Sequence, residues 1–369
     1  MKIESIELRL VELPLVRPFR TSFGTEETRA ALLVRVESDD GEGWGECVCG
    51  AEPRYSSEFV DGAWLAMRSY LIPPLVAAPE VSAEAVGKLL AGVKGHRMAK
   101  AGLEMAVLDA ELRAKGESFV SYLGGRGGAV RPGVSVGITA SIGELENVVS
   151  RHVEEGYSRI KLKIEPGWDV EPTAAIRSLL GDDFMLQVDA NAAYQREDFD
   201  LLAPLDDFGL VLIEQPLDEE DILGHAIFAS SLATPICLDE SIVSAAAAVQ
   251  AIDLEACSIV NIKPGRVGGY LEARLVHDVC QLRGVPVWCG GMLETGLGRA
   301  GNLALASLPA FELPGDISAT DRYFTEDITV ERFVLEEGQI SVPDGPGLGV
   351  SIDHEALERL TTRREVISV

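Results

Sequence analysis

Five short runs decide how this chain folds: RIKLKI at 159–164, LQVDAN at 186–191, VLIEQP at 211–216, ICLDES at 236–241 and IVNIKP at 259–264. Each is apolar, of strand length, and closes on a charged residue, in turn Lys163, Asp189, Glu214, Asp239 and Lys263. The successive gaps between those residues are 26, 25, 25 and 24. A strand of about five residues, a helix of about eleven and two short loops come to roughly 20 to 30 residues, the length of one β/α unit. The charges therefore recur at the carboxyl ends of consecutive parallel strands, where a (β/α) barrel builds its active site.

Outward from this ladder, the strand–helix alternation begins near residue 129 with GVSVGITA. Strand ends fall near Ser135–Gly137, Lys163, Asp189, Glu214, Asp239, Lys263, Cys289 and Asp316. Eight ends suffice to close a barrel, with an irregular last unit. Before residue 129 the pattern differs. IESIELRLVELPL and ALLVRVESDDGEGWGECV alternate, with a turn at Asp39, Asp40 and Gly41, so antiparallel strands open the chain. Helices are expected near 55–75, 80–94 and 97–115; in the last, Leu103, Ala106, Val107 and Ala110 mark one buried face. Beyond about 325 the chain reads as strand and loop returning to the first block. The expected architecture is α/β: a TIM-like barrel over 129–325 and an α+β capping domain over 1–128, completed by 326–369.

Asp189, Glu214 and Asp239 would present carboxylates from neighbouring strands. Three converging anions repel and raise each other's pKa, which a bound cation resolves. An all-oxygen donor set with room for water and substrate suits Mg²⁺, with Mn²⁺ as substitute, rather than zinc. Lys161 and Lys163 lie two apart on one strand and point to one face, where two unpaired ammonium groups are costly and each lowers the other's pKa. Lys163, nearer the strand end, is then the candidate base, and Lys263 comes from four strands further round. A cation on a substrate carboxylate acidifies the neighbouring C–H by stabilising the enediolate. One Lys can remove that proton while the other returns it on the opposite face or stabilises the charge. Racemisation and β-elimination both follow.

Net charge is −27, from 59 acidic residues against 32 Lys plus Arg, which repels nucleic acid and anionic membranes. Glu or Arg breaks every apolar stretch of MKIESIELRLVELPL, so neither a signal peptide nor a spanning helix is expected and a cytoplasmic location is. The six Cys have no common zinc spacing and read as buried free thiols; the five His form no metal pair. A Schiff-base lyase acting through Lys163 or Lys263 leaves the three carboxylates unexplained, and a non-catalytic scaffold leaves the complete ladder unexplained.

The motifs KLK at 161–163, DAN at 189–191, EQP at 214–216, DES at 239–241 and NIKP at 261–264 resemble the enolase superfamily and its muconate lactonising group over essentially the whole chain. That resemblance implies a (β/α)₇β barrel under an α+β capping domain. The strand ending at Cys289 lacks the His of mandelate racemases, and Asp316 is followed by Ile317 and Ser318 rather than the second Asp of dipeptide epimerases. PFRTSFG at 18–24, YSSE at 55–58, GHRMAK at 95–100 and WCGGMLETGLGRA at 288–300 are similar to the o-succinylbenzoate synthase and N-succinylamino acid racemase family.

By that resemblance Lys163 and Lys263 are the acid/base pair, and Asp189, Glu214 and Asp239 hold Mg²⁺. The implied activity is synthase, racemase or both; a racemase acting only on N-acylamino acids and a muconate-type cycloisomerase or epimerase are the alternatives. Arg266 is expected to tune Lys263 by like charge. Phe19 and Phe23 would close over the substrate, Tyr55 and Ser135 would line the pocket, and Gly291, Met292 and Leu293 would offer backbone donors to the succinyl group. Asn191 and Glu240 would orient the carboxylates and Lys263, and Glu294 is expected as an ion-pair partner at the rim. The partner is a small carboxylate substrate, and relatives form homo-oligomers, either dimers or octamers.

Overall fold

The computed structural model describes residues 1–368. Strands β1 (Ile3–Thr21), β2 (Gly24–Ser38) and β3 (Gly41–Cys47) run antiparallel, and Asp39 and Asp40 make the β2–β3 turn. Helix Arg97–Lys115 lies directly on β3. Close approach explains the glycines of GEGWG. A Cβ on Gly43 would sit 2.3 Å from the Ala106 carbonyl oxygen, and one on Gly45 2.2 Å from that of Gly102.

The helix expected near 55–75 starts only at Val60 and runs to Ala77 with a π turn over Met67–Leu71. Pro73 and Pro74 lack the N–H groups that a continuous ladder needs, and the looser turn precedes them. Residues 55–59 stay out of the helix, and Tyr55 faces a cavity instead. The next helix is shorter than expected, Ala83–Leu89.

After the two-residue β4 (Ala129–Val130) come seven parallel strands: β5 (Val134–Val136), β6 (Arg159–Lys163), β7 (Met185–Asp189), β8 (Ile213–Glu214), β9 (Ile236–Leu238), β10 (Ile259–Ile262) and β11 (Val287–Cys289). They form one sheet in chain order. Most intervening helices begin at a residue whose side-chain oxygen accepts an orphan N–H: Ser141, Asp169, Asp221, Ser244 and Thr295. No strand forms at Asp316, contrary to expectation. Pro314 cannot donate to a ladder, and only Gly315 makes a single parallel bridge, to Pro132. Gly133 N–H donates to the Gly315 carbonyl and Asp316 N–H to that of Cys289, so this segment spans the two sheet edges, β5 and β11. The result is a TIM-like α/β fold with an N-terminal α+β region.

The tail pairs β12 (Ile340–Ser341) with β4 and then β13 (Thr361–Ser368) with β1. It also holds a helix, His354–Leu360, which the strand-and-loop reading lacks; Asp353 caps it by accepting from the N–H groups of Glu355 and Ala356. All six Cys are buried and unpaired. Among the described residues, no helix is long and apolar enough to cross a membrane.

Candidate active site

Register fixes which side chains meet. Lys163 pairs with Asp189, Asp189 with Glu214, and Glu214 with Cys237. Side chains alternate along a strand, so Lys161, Lys163, Asp189, Glu214, Asp239, Asn261 and Lys263 share the inner face. Leu212, Cys237, Ile259 and Trp288 pack together as an apolar floor, with the Lys161 ammonium 4.8 Å from the Trp288 ring centre.

Above this floor is a cavity of about 330 Å³ between the strand ends and the β1–β2 hairpin. Of the expected residues, Phe19, Phe23, Tyr55, Ser135, Lys161, Lys163, Asn191, Lys263, Gly291, Met292 and Leu293 line it. Asp189, Glu214, Asp239, Glu240, Arg266 and Glu294 are buried behind this lining. Glu294 corrects one expectation: it is no rim ion pair, but a buried acceptor for Asn302 Nδ2 at 2.9 Å.

Each carboxylate of the trio draws a cation against itself. Lys161 is not unpaired, as the sequence suggested: its Nζ lies 2.9 Å from Asp189 Oδ2, 2.9 Å from Glu214 Oε2 and 2.6 Å from Asp316 Oδ2. Lys163 Nζ donates to Asp189 Oδ2 and Asn191 Oδ1, both at 2.6 Å. Lys263 Nζ donates to Asp239 Oδ2 at 2.7 Å and to the Tyr55 hydroxyl at 3.1 Å, and that hydroxyl donates to Asp239 Oδ1. Arg266 pairs with Asp239 through Nη1, so its charge faces a carboxylate. Asn261 Nδ2 donates to Glu214 Oε1, and Asn191 Nδ2 to Glu240 Oε1.

The two lysines of β6 differ sharply. Burial pulls Lys161 down, but Asp189, Asp316 and Glu214 together outweigh it and hold its pKa above the ordinary lysine value. For Lys163 burial dominates, and with the charge of Lys161 it leaves the pKa lowered despite Asp189. Lys263 is also buried, yet Tyr55, Glu240, Glu214 and Asp189 raise its pKa. Burial and the Asp189 charge push Glu240 up to about 7.

Backbone strain clusters at the same strand ends. Asn191, Ala192, Gln215 and Leu293 have φ of 45°, 60°, 37° and 56°, a region that non-glycine residues seldom adopt and that concentrates at functional sites.

The donor set fits a hard divalent cation: three buried carboxylates on adjacent strands, with no thiolate or imidazole among them. Lys161 already stands between two of them as a positive charge. In this arrangement no group of three acidic, His or Cys side chains among the described residues is drawn onto one point. Holding an ion therefore calls for the lysines to give up carboxylate contacts.

The chain matches two family models: residues 5–124 that of the mandelate racemase / muconate lactonizing enzyme N-terminal domain, and residues 144–356 that of the enolase C-terminal domain-like family. It is 62% identical over 364 residues to an N-succinylamino acid racemase of an Amycolatopsis species, covering 99% of each chain. It is 44% identical to an o-succinylbenzoate synthase of Geobacillus stearothermophilus, over 98% of this chain and 96% of that one. This chain belongs to the enolase superfamily. Within the superfamily it falls in the o-succinylbenzoate synthase and N-succinylamino acid racemase family. A crystal structure of an enolase-superfamily member from Listeria innocua superposes with a TM-score of 0.95 at 38% identity, over 100% of this chain and 99% of that one.

In this enolase-superfamily chain, several residues of the charged cluster lie outside the ladder as read from sequence. Asn261 carries a usable signal, two before Lys263 and on the same face. Asp316 ends an expected strand but becomes the partner of both Lys161 and Arg159. Arg159, two before Lys161, shares its parity. Gln215 has no such signal: its Oε1 accepts the backbone N–H groups of Asp239 and Ser241 and so sets the end of β9.

Proposed function

We propose that this protein removes the proton on the carbon beside a substrate carboxylate. As an o-succinylbenzoate synthase it would dehydrate 2-succinyl-6-hydroxy-2,4-cyclohexadiene-1-carboxylate, and at the same site it would racemise N-succinylamino acids. One observation carries the reading: Lys163 and Lys263, from strands four apart, reach one cavity with Asp189, Glu214 and Asp239 in strand order between them. The relatives named for both reactions support it.

Asp189, Glu214 and Asp239 would hold the divalent cation, Mg²⁺ with Mn²⁺ as substitute, which when bound withdraws charge from the substrate carboxylate and lowers the cost of losing the neighbouring proton. Lys163, its pKa lowered, takes that proton on Nζ. In elimination, the electron pair left behind forms the new C=C bond as the C–O bond to the hydroxyl breaks, and the Lys163 ammonium returns its proton to make water. Lys263, kept cationic, faces the developing negative charge. In racemisation Lys263 gives its proton to the opposite face of the same carbon. Lys161 stays charged and keeps its pairing with Asp316, while Asp189 and Glu214 would turn from it to the cation.

Phe19, Phe23, Tyr55, Ser135, Met292 and Leu293 would wall the substrate off from water, with Asn191, Glu240 and Arg266 orienting the charged groups. We read the barrel as (β/α)₇β, with a catalytic domain over 129–325 and a capping domain over 1–128 completed by 326–369; the pairing of β13 with β1 supports this division. A cytoplasmic homo-oligomer, dimer or octamer, completes the proposal.

The test is both assays on one preparation with Mg²⁺: aromatic absorbance for elimination, polarimetry of N-succinylphenylalanine for racemisation. Turnover of at least one substrate is expected. Turnover of neither overturns the reading.

A further inference from the structure

The turn that follows Lys263, PGRVGG at 264–269, packs against helix Arg97–Lys115 of the N-terminal region. It is bonded as one piece: Val267 N–H donates to the Lys263 carbonyl, and the Gly268 and Gly269 N–H groups donate to that of Pro264. On the barrel side it is held by Arg266, whose Nε donates to the Ile242 carbonyl at 2.8 Å and whose Nη2 donates to the Asn261 carbonyl at 2.5 Å. Glycines mark the opposite side. A Cβ on Gly265 would sit 2.2 Å from Val48 Cγ2, and one on Gly269, whose φ is 143°, 2.2 Å from Glu104 Oε1.

The next helix, Tyr270–Arg283, starts at Gly269 and has no side chain of its own to accept its first N–H groups, unlike the helices begun by Ser141, Asp169, Asp221, Ser244 and Thr295. Glu104 takes that place from helix Arg97–Lys115: its Oε1 accepts the Leu271 N–H at 3.1 Å. The carboxyl is buried, and among the described residues no Lys, Arg or His nitrogen lies within the 4.0 Å of an ion pair with it. The charge that acts on it is Glu272, in the first turn of the helix it caps. Burial, with that like charge, pushes the Glu104 pKa up to about 7 against the N–H groups of Leu271 and Tyr270. Burying a carboxyl without a cation is costly, and the offset here is a helix N-terminus whose orphan donors and dipole favour it. The N-terminal region thus grips the barrel by one acceptor just beyond a reactive lysine.

We propose that Glu104 is a positioning residue for Lys263: by accepting the first N–H groups of helix Tyr270–Arg283 it seats the 264–269 turn on helix Arg97–Lys115 and so fixes where the Lys263 ammonium stands over the cavity. This rests on the proton-transfer reading above and deepens it. Lys163 stands on β6, four strands away from this contact, so the two faces of the substrate carbon differ in their dependence on Glu104. Glu104 itself touches no reacting atom.

The test follows α-proton exchange of N-succinyl-D- and N-succinyl-L-phenylalanine in D₂O with Mg²⁺ in wild type, Glu104→Ala and Glu104→Gln, with Lys263→Ala defining the enantiomer whose exchange needs Lys263. In Glu104→Ala that enantiomer should exchange about 10- to 100-fold more slowly, the worth of a displacement of about an ångström at a reacting group, in kcat rather than KM, while the other is little changed. Glu104→Gln keeps an acceptor oxygen and should recover most of the loss. Asp353→Ala, which removes the cap of the tail helix His354–Leu360, controls for stability alone and should leave the ratio of the two enantiomers as in wild type. Amide hydrogen exchange without substrate is an independent readout: residues 263–271 should exchange about 10-fold faster in Glu104→Ala, the worth of a lost cap. Equal loss with both enantiomers, or no loss, overturns the positioning role and makes Glu104 a packing residue. Wild type that exchanges neither enantiomer sinks the racemisation instead, and the amide exchange then decides: protection of 263–271 that depends on Glu104 upholds the seat, and protection that does not overturns it.

Discussion

Replacing Lys161 by Met tests how the charged layer is held together. The side chains are close in length, so the change removes one ammonium with little change in volume. That ammonium lies 2.6–2.9 Å from oxygens of Asp189, Glu214 and Asp316, all in the interior. At an effective dielectric of about 20, each contact is worth roughly 6 kcal/mol of Coulomb attraction. Most of it is offset by the cost of burying four charges, so the net loss on breaking the network should be about 3–5 kcal/mol. The cation–π contact with Trp288 goes too and adds about 0.5–2 kcal/mol.

The assay is urea unfolding of metal-free wild type and Lys161→Met. The destabilised variant should recover more stability from added Mg²⁺ than wild type does, because a cation then meets carboxylates that no lysine is holding. Stabilisation by a ligand at about 100 times its Kd is about 2.7 kcal/mol, well within reach of the measurement. A variant as stable as wild type without metal would mean that Lys161 does not hold the three carboxylates together. So would equal stabilisation of both proteins by Mg²⁺.

Three further outcomes are expected. Lys163→Ala should lower both elimination and racemisation by at least about 10²–10⁴-fold, the usual worth of acid/base catalysis, and retention of more than about a tenth of the synthase rate contradicts its role. Chelator should abolish activity, with Mg²⁺ or Mn²⁺ restoring it; full rate in excess chelator contradicts the ligand set. The third concerns Glu46. Its folded pKa of about 7 lies above the ordinary 4.5, so the folded state holds the extra proton and the carboxyl costs stability once ionised. The penalty is absent below about pH 4.5, grows through that window and is complete above about 7. Glu46→Gln removes it, so the stability of the variant relative to wild type should rise by up to about 3 kcal/mol between pH 4.5 and 8; a difference flat with pH, or of opposite slope, tells against it.

The ladder was legible because it depends on local facts: strand length, unit length and the alternation of side chains along a strand. Those place Lys163, Asp189, Glu214, Asp239 and Lys263 on one inner face without any tertiary contact being known. What sequence could not give is pairing across distance. Lys161 and Lys163 look alike in KLK, yet only Lys161 reaches Asp316, which is 155 positions away and separates the pKa shifts of the two lysines. Glu104 reads as one charge on a helix until that helix is laid against the turn after Lys263. Glu294 reads as a rim charge for the same reason, because only the fold shows helix Gly296–Ala306 returning Asn302 to its carboxylate. The expected strand at Asp316 failed on chemistry visible in the sequence, since Pro314 and Gly315 do not sustain a ladder.

If Lys163 and Lys263 face one carbon from opposite sides, each governs exchange of the α-proton with one enantiomer, which can be followed in D₂O. N-succinyl-D- and N-succinyl-L-phenylalanine are each incubated with wild type, Lys163→Ala and Lys263→Ala, and loss of the α-proton signal is followed by NMR. Wild type should exchange both enantiomers, and each variant should lose exchange with one enantiomer, a different one for each lysine. If both variants exchange the same enantiomer, or either still racemises at the wild-type rate, the two-sided arrangement is wrong.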